Sequence, residues 1–173
     1  MITYQSIDSP VGALLLASAA DGLRLIEFEH PWHPYKRGAD WREGDDEVLQ
    51  RTRNQLDDYF AGRLREFDLP LAPHGTPFQL QCWRTLAQIP WGETWSYAQM
   101  AQRIGRPTAT RAVGAANGRN PLPIVLPCHR VIGSDGSLTG FGGGLPTKQF
   151  LLTLEGALPA VEAVPIGDLF APR

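Results

Sequence analysis

Three prolines, at positions 121, 123 and 127, crowd the stretch immediately ahead of Cys128-His129-Arg130. Each fixes its own φ and lacks an amide donor, so neither a helix interior nor the middle of a sheet accepts the segment. Residues 120–127 therefore read as a rigid extended strap that ends by presenting a cysteine. The regular elements of the chain must be arranged around it.

Upstream, residues 2–7, 12–18 and 23–28 carry strand patterns. Asp21-Gly22 lies between the last two as a hairpin turn, since both residues tolerate positive φ. Residues 30–46 read as loop, broken by Pro31, Pro34, Gly38 and Gly44. From Asp46 a helix is predicted, with Leu49, Leu56, Tyr59 and Phe60 on one face. Residues 67–71 are candidates to return to the sheet. Pro70, Pro73, Gly75 and Pro77 then make a stiff break, the predicted boundary between domains at 1–75 and 76–173. A length of 173 residues suits one compact domain or two small ones. The predicted class is α+β: a small N-terminal αβ domain with an antiparallel sheet, then a mostly helical domain.

The second segment opens with a helix over residues 78–87. Ser96 and Gln99 form a capping box for the next helix, which Gly105 ends. Another helix starts near Thr108 or Thr110 and runs through Arg111, Val113 and Ala116. Helix, glycine turn and small-residue helix outline a helix-turn-helix, a shape many helix pairs share. Charge sharpens it. Residues 1–77 hold 8 Lys/Arg against 13 Asp/Glu, whereas residues 78–132 hold six arginines against the single acid Glu93. Arginine's planar fork of donors suits phosphates and base edges, which points this island at nucleic acid.

A lone cysteine in an apolar run is usually a small buried hydrophobe. Cys128 differs in its neighbours: His129 can serve as base, Arg130 adds positive charge and Pro127 fixes the sulfur, a set that favours thiolate. Adjacent residues on a strand face opposite ways, so a Cys128–His129 link needs a turn or an intervening water. Glu155 is the downstream candidate to orient the imidazole. Zinc is disfavoured because Cys82 stands alone and His30 and His33 are remote, so no metal and no cofactor are expected. A Cys-His hydrolase remains open but lacks a visible oxyanion device. The glycine run at 140–144 lacks the ending of a P-loop and reads as a mobile loop whose backbone approaches a ligand. Cys82, and the tryptophans at 32, 41, 91 and 95, read as packing residues. The longest apolar stretch, residues 11–20, is too short to span a bilayer, no basic region precedes it, and two cysteines cannot staple a secreted fold. A cytoplasmic protein without membrane contact is expected.

With Pro127-Cys128-His129-Arg130 in view, the sequence resembles the O6-alkylguanine-DNA alkyltransferases of the bacterial single-function type. The resemblance is close from 76 to 158, through Ser96-Tyr97-Ala98-Gln99, Arg111-Ala112-Val113-Gly114-Ala115-Ala116-Asn117, the strap itself and Leu154-Glu155-Gly156, and loose before 76. It implies direct-reversal DNA repair, in which the alkyl group of O6-alkylguanine passes irreversibly to Cys128. O4-alkylthymine is a further candidate lesion. It implies a relay through His129 and Glu155, a bracing role for Asn120 and a helping role for Tyr97 at the flipped nucleotide. Arg111 would be the finger that replaces that nucleotide, with Ala112, Ala115, Arg119 and Arg130 against DNA. Pro123, Val131, Phe141 and Gly142 would line the pocket beside Cys128. Phe141 stands where the family commonly has tyrosine, and Gly142 replaces a small polar residue. The implied partner is double-stranded DNA, gripped through the minor groove by a monomer. Two rivals are a non-catalytic protein that binds alkylated bases and recruits other factors, which Cys128 disfavours, and a transcription regulator, which has no visible effector domain.

Overall fold

The computed structural model describes residues 1–159, so the end of the predicted C-terminal domain, residues 160–173, lies outside the described residues. Strands β1 (Ile2–Ile7), β2 (Leu14–Ala19) and β3 (Gly22–Phe28) form an antiparallel meander, and β4 (Trp41–Glu43) adds parallel to β1, giving the order β3-β2-β1-β4. The α+β class stands, but the sheet is mixed. β4 falls inside the predicted loop because three residues carry no periodicity of their own; pairing with β1 defines them. The hairpin loop is Ala20-Asp21, one residue earlier than expected, since Gly22 already pairs with Ala19 at a φ of +143°. Of residues 67–71 only Leu71 reaches the sheet, as an isolated parallel bridge to Leu23.

Helix α1 (Glu47–Phe60) is capped by Asp46, whose side chain accepts from the Leu49 amide. It covers one sheet face with Leu49, Thr52, Leu56 and Tyr59 buried. The opposite sheet face carries a small separate cluster of Ile2, Leu15, Ala17 and Leu25. The main core continues without a break past residues 70–77, because Cys82, Trp83 and Leu86 join Leu14, Leu16 and Leu56 in one buried cluster.

Helix α2 (Pro77–Leu86) begins with a capping box between Thr76 and Gln79, and Trp83 Nε1 donates to the Ala116 carbonyl at 2.8 Å. After β5 (Trp95–Ser96), helix α3 (Tyr97–Ile104) starts from the predicted Ser96–Gln99 box and stops at Gly105, φ +82°. Helix α4 (Thr110–Gly118) buries Val113, Ala116 and Asn117.

The strap departs from expectation. Residues 120–127 are folded into successive turns instead of running extended: the Leu126 amide donates to Leu122 O at 2.8 Å and the Cys128 amide to Leu126 O at 2.8 Å. A proline φ near −65° suits a tight turn as well as an extended run. The side chain of Asn120 tips the choice, donating to Leu126 O at 2.8 Å and accepting from the Leu122 amide at 3.0 Å. Cys128–Arg130 then forms a single 3₁₀ turn leading into β6 (Val131–Ile132), which pairs parallel with β5. Helix α5 (Leu145–Leu154) closes the described fold and delivers Glu155 at its C-cap.

Candidate active site

The 3₁₀ turn changes what the three residues after Pro127 can reach. Cys128 is 7% exposed and lies on the wall of a cleft of about 420 Å³, together with Asn120, Pro123, Phe141 and Gly142. That volume lies within the roughly 300–1,000 Å³ of small-ligand sites. Its neighbour His129 points the other way, into the interior, fully buried, with Nε2 2.8 Å from Glu155 Oε2.

Glu155 is the hub beneath the turn. It also accepts from Tyr59 OH at 2.6 Å, from Arg130 Nε at 2.8 Å and from Arg130 Nη2 at 3.0 Å. Burial pushes its carboxyl up, yet the bonds and charges of His129 and Arg130 outweigh that and hold it at about 2. Burial lowers the His129 imidazole, against the pull of Glu155, so the ring is neutral at rest. With Nε2–H given to a carboxylate, Nδ1 is the basic nitrogen, and it is buried without a hydrogen-bond partner. The ring is thus held in the tautomer a general base requires.

Arg130 corrects two expectations. Its third nitrogen, Nη1, donates to Ile89 O at 2.6 Å, so the whole guanidinium is spent inside the protein. It is 7% exposed and cannot be a DNA contact. Nor does it drive Cys128 toward thiolate, because Glu155 compensates its charge. Burial raises the Cys128 thiol, and this dominates the Asn120 amide, the Lys148 charge and the backbone amides of Cys128 and His129, which pull the other way. Burial thus works against the thiolate that the neighbours of Cys128 are expected to favour.

Tyr97 stands at the start of α3, half-buried, with its oxygen accepting from Thr139 Oγ1 at 2.9 Å. Burial raises its phenol. Val131 is fully buried and its carbonyl accepts from Lys148 Nζ at 2.6 Å. Arg111, Ala112, Ala115 and Arg119 share the exposed side of α4, and Arg119 also borders the cleft. Phe141 is buried edge-on to Phe28, ring centroids 5.5 Å apart. Among the described residues, no three of His, Cys, Asp and Glu are gathered as a metal would require, and no helix is long and apolar enough to cross a membrane.

Two residues at the site escaped the sequence reading. Lys148 is fully buried on α5, donating to Val131 O and, at 3.3 Å, to Thr139 O, and burial lowers its ammonium to about 8. The available signal was a lysine on the same helical face as Leu151, Leu152 and Glu155. Asn117 borders the cleft with both side-chain polar atoms buried and unpartnered. Nothing in its local sequence distinguishes it from a helix-surface asparagine.

Comparison with known proteins covers nearly the whole chain. Residues 2–73 match the family described as 6-O-methylguanine DNA methyltransferase, ribonuclease-like domain, and residues 77–157 match that family's DNA binding domain. A methylated-DNA–protein-cysteine methyltransferase of Methanosarcina barkeri is 49% identical over 152 residues, 88% of this chain and 96% of its own. One from Mycolicibacterium paratuberculosis is 49% identical over 158 residues, 90% and 93% of the two chains. The crystal structure of Mycobacterium tuberculosis OGT in complex with DNA superposes with a TM-score of 0.84 at 43% identity, covering 98% of this chain and 99% of that one.

Proposed function

The chain belongs to the 6-O-methylguanine DNA methyltransferase family, and on that premise we propose that it repairs DNA by taking the alkyl group of O6-alkylguanine onto Cys128. The observation that carries this reading is Cys128 on the wall of the cleft, followed in the same 3₁₀ turn by a His129 that is bonded to the buried Glu155.

The target carbon lies within a stacked duplex, so the nucleotide must rotate out before any side chain can reach it. Arg111 on the exposed side of α4 fills the gap, and Ala112 and Ala115 beside it allow close approach in a minor groove. Arg119 meets the adjoining phosphates. Once the base is in the cleft, between Pro123 and the Phe141-Gly142 wall, the buried thiol must lose its proton. His129 Nδ1 takes that proton through a bridging water, and Glu155 stabilises the imidazolium that results. The sulfur attacks the alkyl carbon in line; the S–C bond forms as the C–O6 bond breaks. Tyr97 supplies the proton that neutralises the leaving guanine. Asn120 keeps the turn beneath the sulfur closed, and the Val131 carbonyl, already bonded to Lys148 Nζ, gives its second lone pair to the base edge. A thioether does not exchange as a disulfide does, so each molecule acts once. The chain works without a cofactor, as a monomer in the cytoplasm.

Intact-mass analysis tests the reading. After incubation with duplex containing O6-methylguanine, the protein gains one methyl, about 14 Da, and Cys128→Ala gains nothing. Tight binding without a mass change would instead make the chain a non-catalytic reader of alkylated bases.

A further inference from the structure

The loop 139–144 supplies one wall of the Cys128 cleft through Phe141 and Gly142. Its glycines divide by surroundings. A Cβ on Gly142 would meet nothing within 4 Å, so that position faces open space. A Cβ on Gly140 would lie 2.5 Å from Cη2 of Trp32, and one on Gly143 would lie 2.9 Å from the Phe28 ring. Neither Gly140 nor Gly143 has the left-handed φ that would call for glycine on backbone grounds, whereas Gly144 does, at +90°. Both are therefore small to let N-terminal aromatics press against the loop. Phe28 meets Phe141 edge-on as well. Trp32 is the odd member of this set: it is 54% exposed, and the part that is covered faces Gly140 and the cleft. A tryptophan used only for packing would be expected deeper in the fold. The residue it touches adjoins Thr139, whose hydroxyl reaches Tyr97 and whose carbonyl accepts from Lys148.

We propose that Trp32 is a positioning residue for alkyl transfer: its indole holds the 139–144 loop through Gly140 and so sets how tightly the cleft grips the alkyl-bearing base. The proposal rests on the function inferred above and gives the N-terminal lobe a direct part in it. Trp32 is assigned no contact with a reacting atom. It acts through the loop, so its loss relaxes the wall that Phe141 and Gly142 form while Cys128, His129 and Glu155 stay in place.

Free O6-benzylguanine is the suitable probe, because it needs no DNA contact. The rate of adduct formation on Cys128, followed by intact mass over a range of probe concentrations, gives a half-saturating concentration and a limiting rate. Trp32→Ala should raise the former about tenfold and change the latter less than about threefold. Trp32→Phe, which keeps an aromatic edge, should recover most of the loss. Gly140→Ala should produce a similar shift because its methyl collides with the indole. Combined with Trp32→Ala it should add nothing, since the collision partner is gone. Affinity for an unmodified duplex should be the same in all variants. A Trp32→Ala half-saturation within about twofold of the parent, or fully additive effects in the double variant, would overturn the proposal. Should Trp32→Ala not fold, Trp32→Phe and Gly140→Ala carry the test: an unshifted Gly140→Ala overturns it equally. A parent protein that never acquires the benzyl group would instead sink the proposed function, and this inference with it.

Discussion

Glu155 accepts from three side chains in a place with almost no solvent, and removing its charge strands all of them. Glu155→Gln leaves Arg130 buried without a counter-charge, a change that costs about 3–5 kcal/mol in comparable buried pairs. Denaturant unfolding should register that loss. The same variant should slow alkyl transfer about 10²-fold or more, because His129 no longer has an anion to stabilise its protonated form. Glu155 also gives the protein a definite acid limit. Its folded value of about 2 lies below the ordinary 4.5, so its stabilising contribution is complete above the ordinary value. That contribution is lost as pH falls through 4.5 toward 2, the window in which an acid titration of the parent should fall and one of Glu155→Gln should stay comparatively flat. Lys148 differs in that folding disfavours its charged form, although the slope with pH has the same sign. Burial lowers its value from 10.5 to about 8, so between those limits the unfolded chain binds more protons than the folded one. Stability should therefore rise with pH across that window in the parent relative to Lys148→Met, as equilibrium unfolding at matched pH values would reveal.

At the scale of elements, what a few neighbouring residues decide was legible and what distant partners decide was not. Ser96 and Gln99 bond each other's backbone amides at 3.1 and 2.7 Å, and Gly105 turns left-handed to stop the same helix, so both ends of α3 can be read locally. Ser96→Ala should accordingly cost about 1 kcal/mol in thermal or denaturant unfolding. It should also loosen Tyr97, the first residue of that helix, which would show as slower transfer. β4 was illegible because its order comes from β1, some 40 residues away in sequence. The strap reads as extended from its prolines alone, because its folding depends on the Asn120 side chain reaching Leu126, a tie that proline content does not announce. Arg130 is illegible for a similar reason: a basic residue beside a cysteine looks available to a phosphate, whereas Glu155, 25 residues on, occupies it. Cys128, His129 and Glu155 were legible as a set from their residue types, and the family resemblance implied the relay among them. Neither announces the burial that raises the Cys128 thiol.

On the scale of the whole molecule, the basic island is less uniform than its six arginines suggest. Arg130 is internal, Arg103 lies 4.5 Å over the Trp95 ring and Arg106 lies 5.5 Å over Phe78. All but Arg130 are exposed, Arg111 and Arg119 on the outward side of α4, while the acidic excess sits in the first 77 residues. Such a polarised charge distribution favours approach of a polyanion from the basic middle of the chain over the acidic N-terminal part. If α4 is the surface that meets DNA, and Arg111 the group that enters the duplex, its removal must separate two reactions that share one cysteine. Repair of O6-methylguanine in duplex should fall tenfold or more in Arg111→Ala, because the vacated stack is no longer filled. Reaction with free O6-benzylguanine should stay within about twofold, since that substrate reaches Cys128 without any duplex to open. Arg119→Ala should behave differently, weakening binding to any duplex and lowering the salt slope by about one, as befits a phosphate contact. Equal losses on duplex and free base in Arg111→Ala would mean that the residue supports the cleft from behind α4, and the finger would have to be sought elsewhere on that helix.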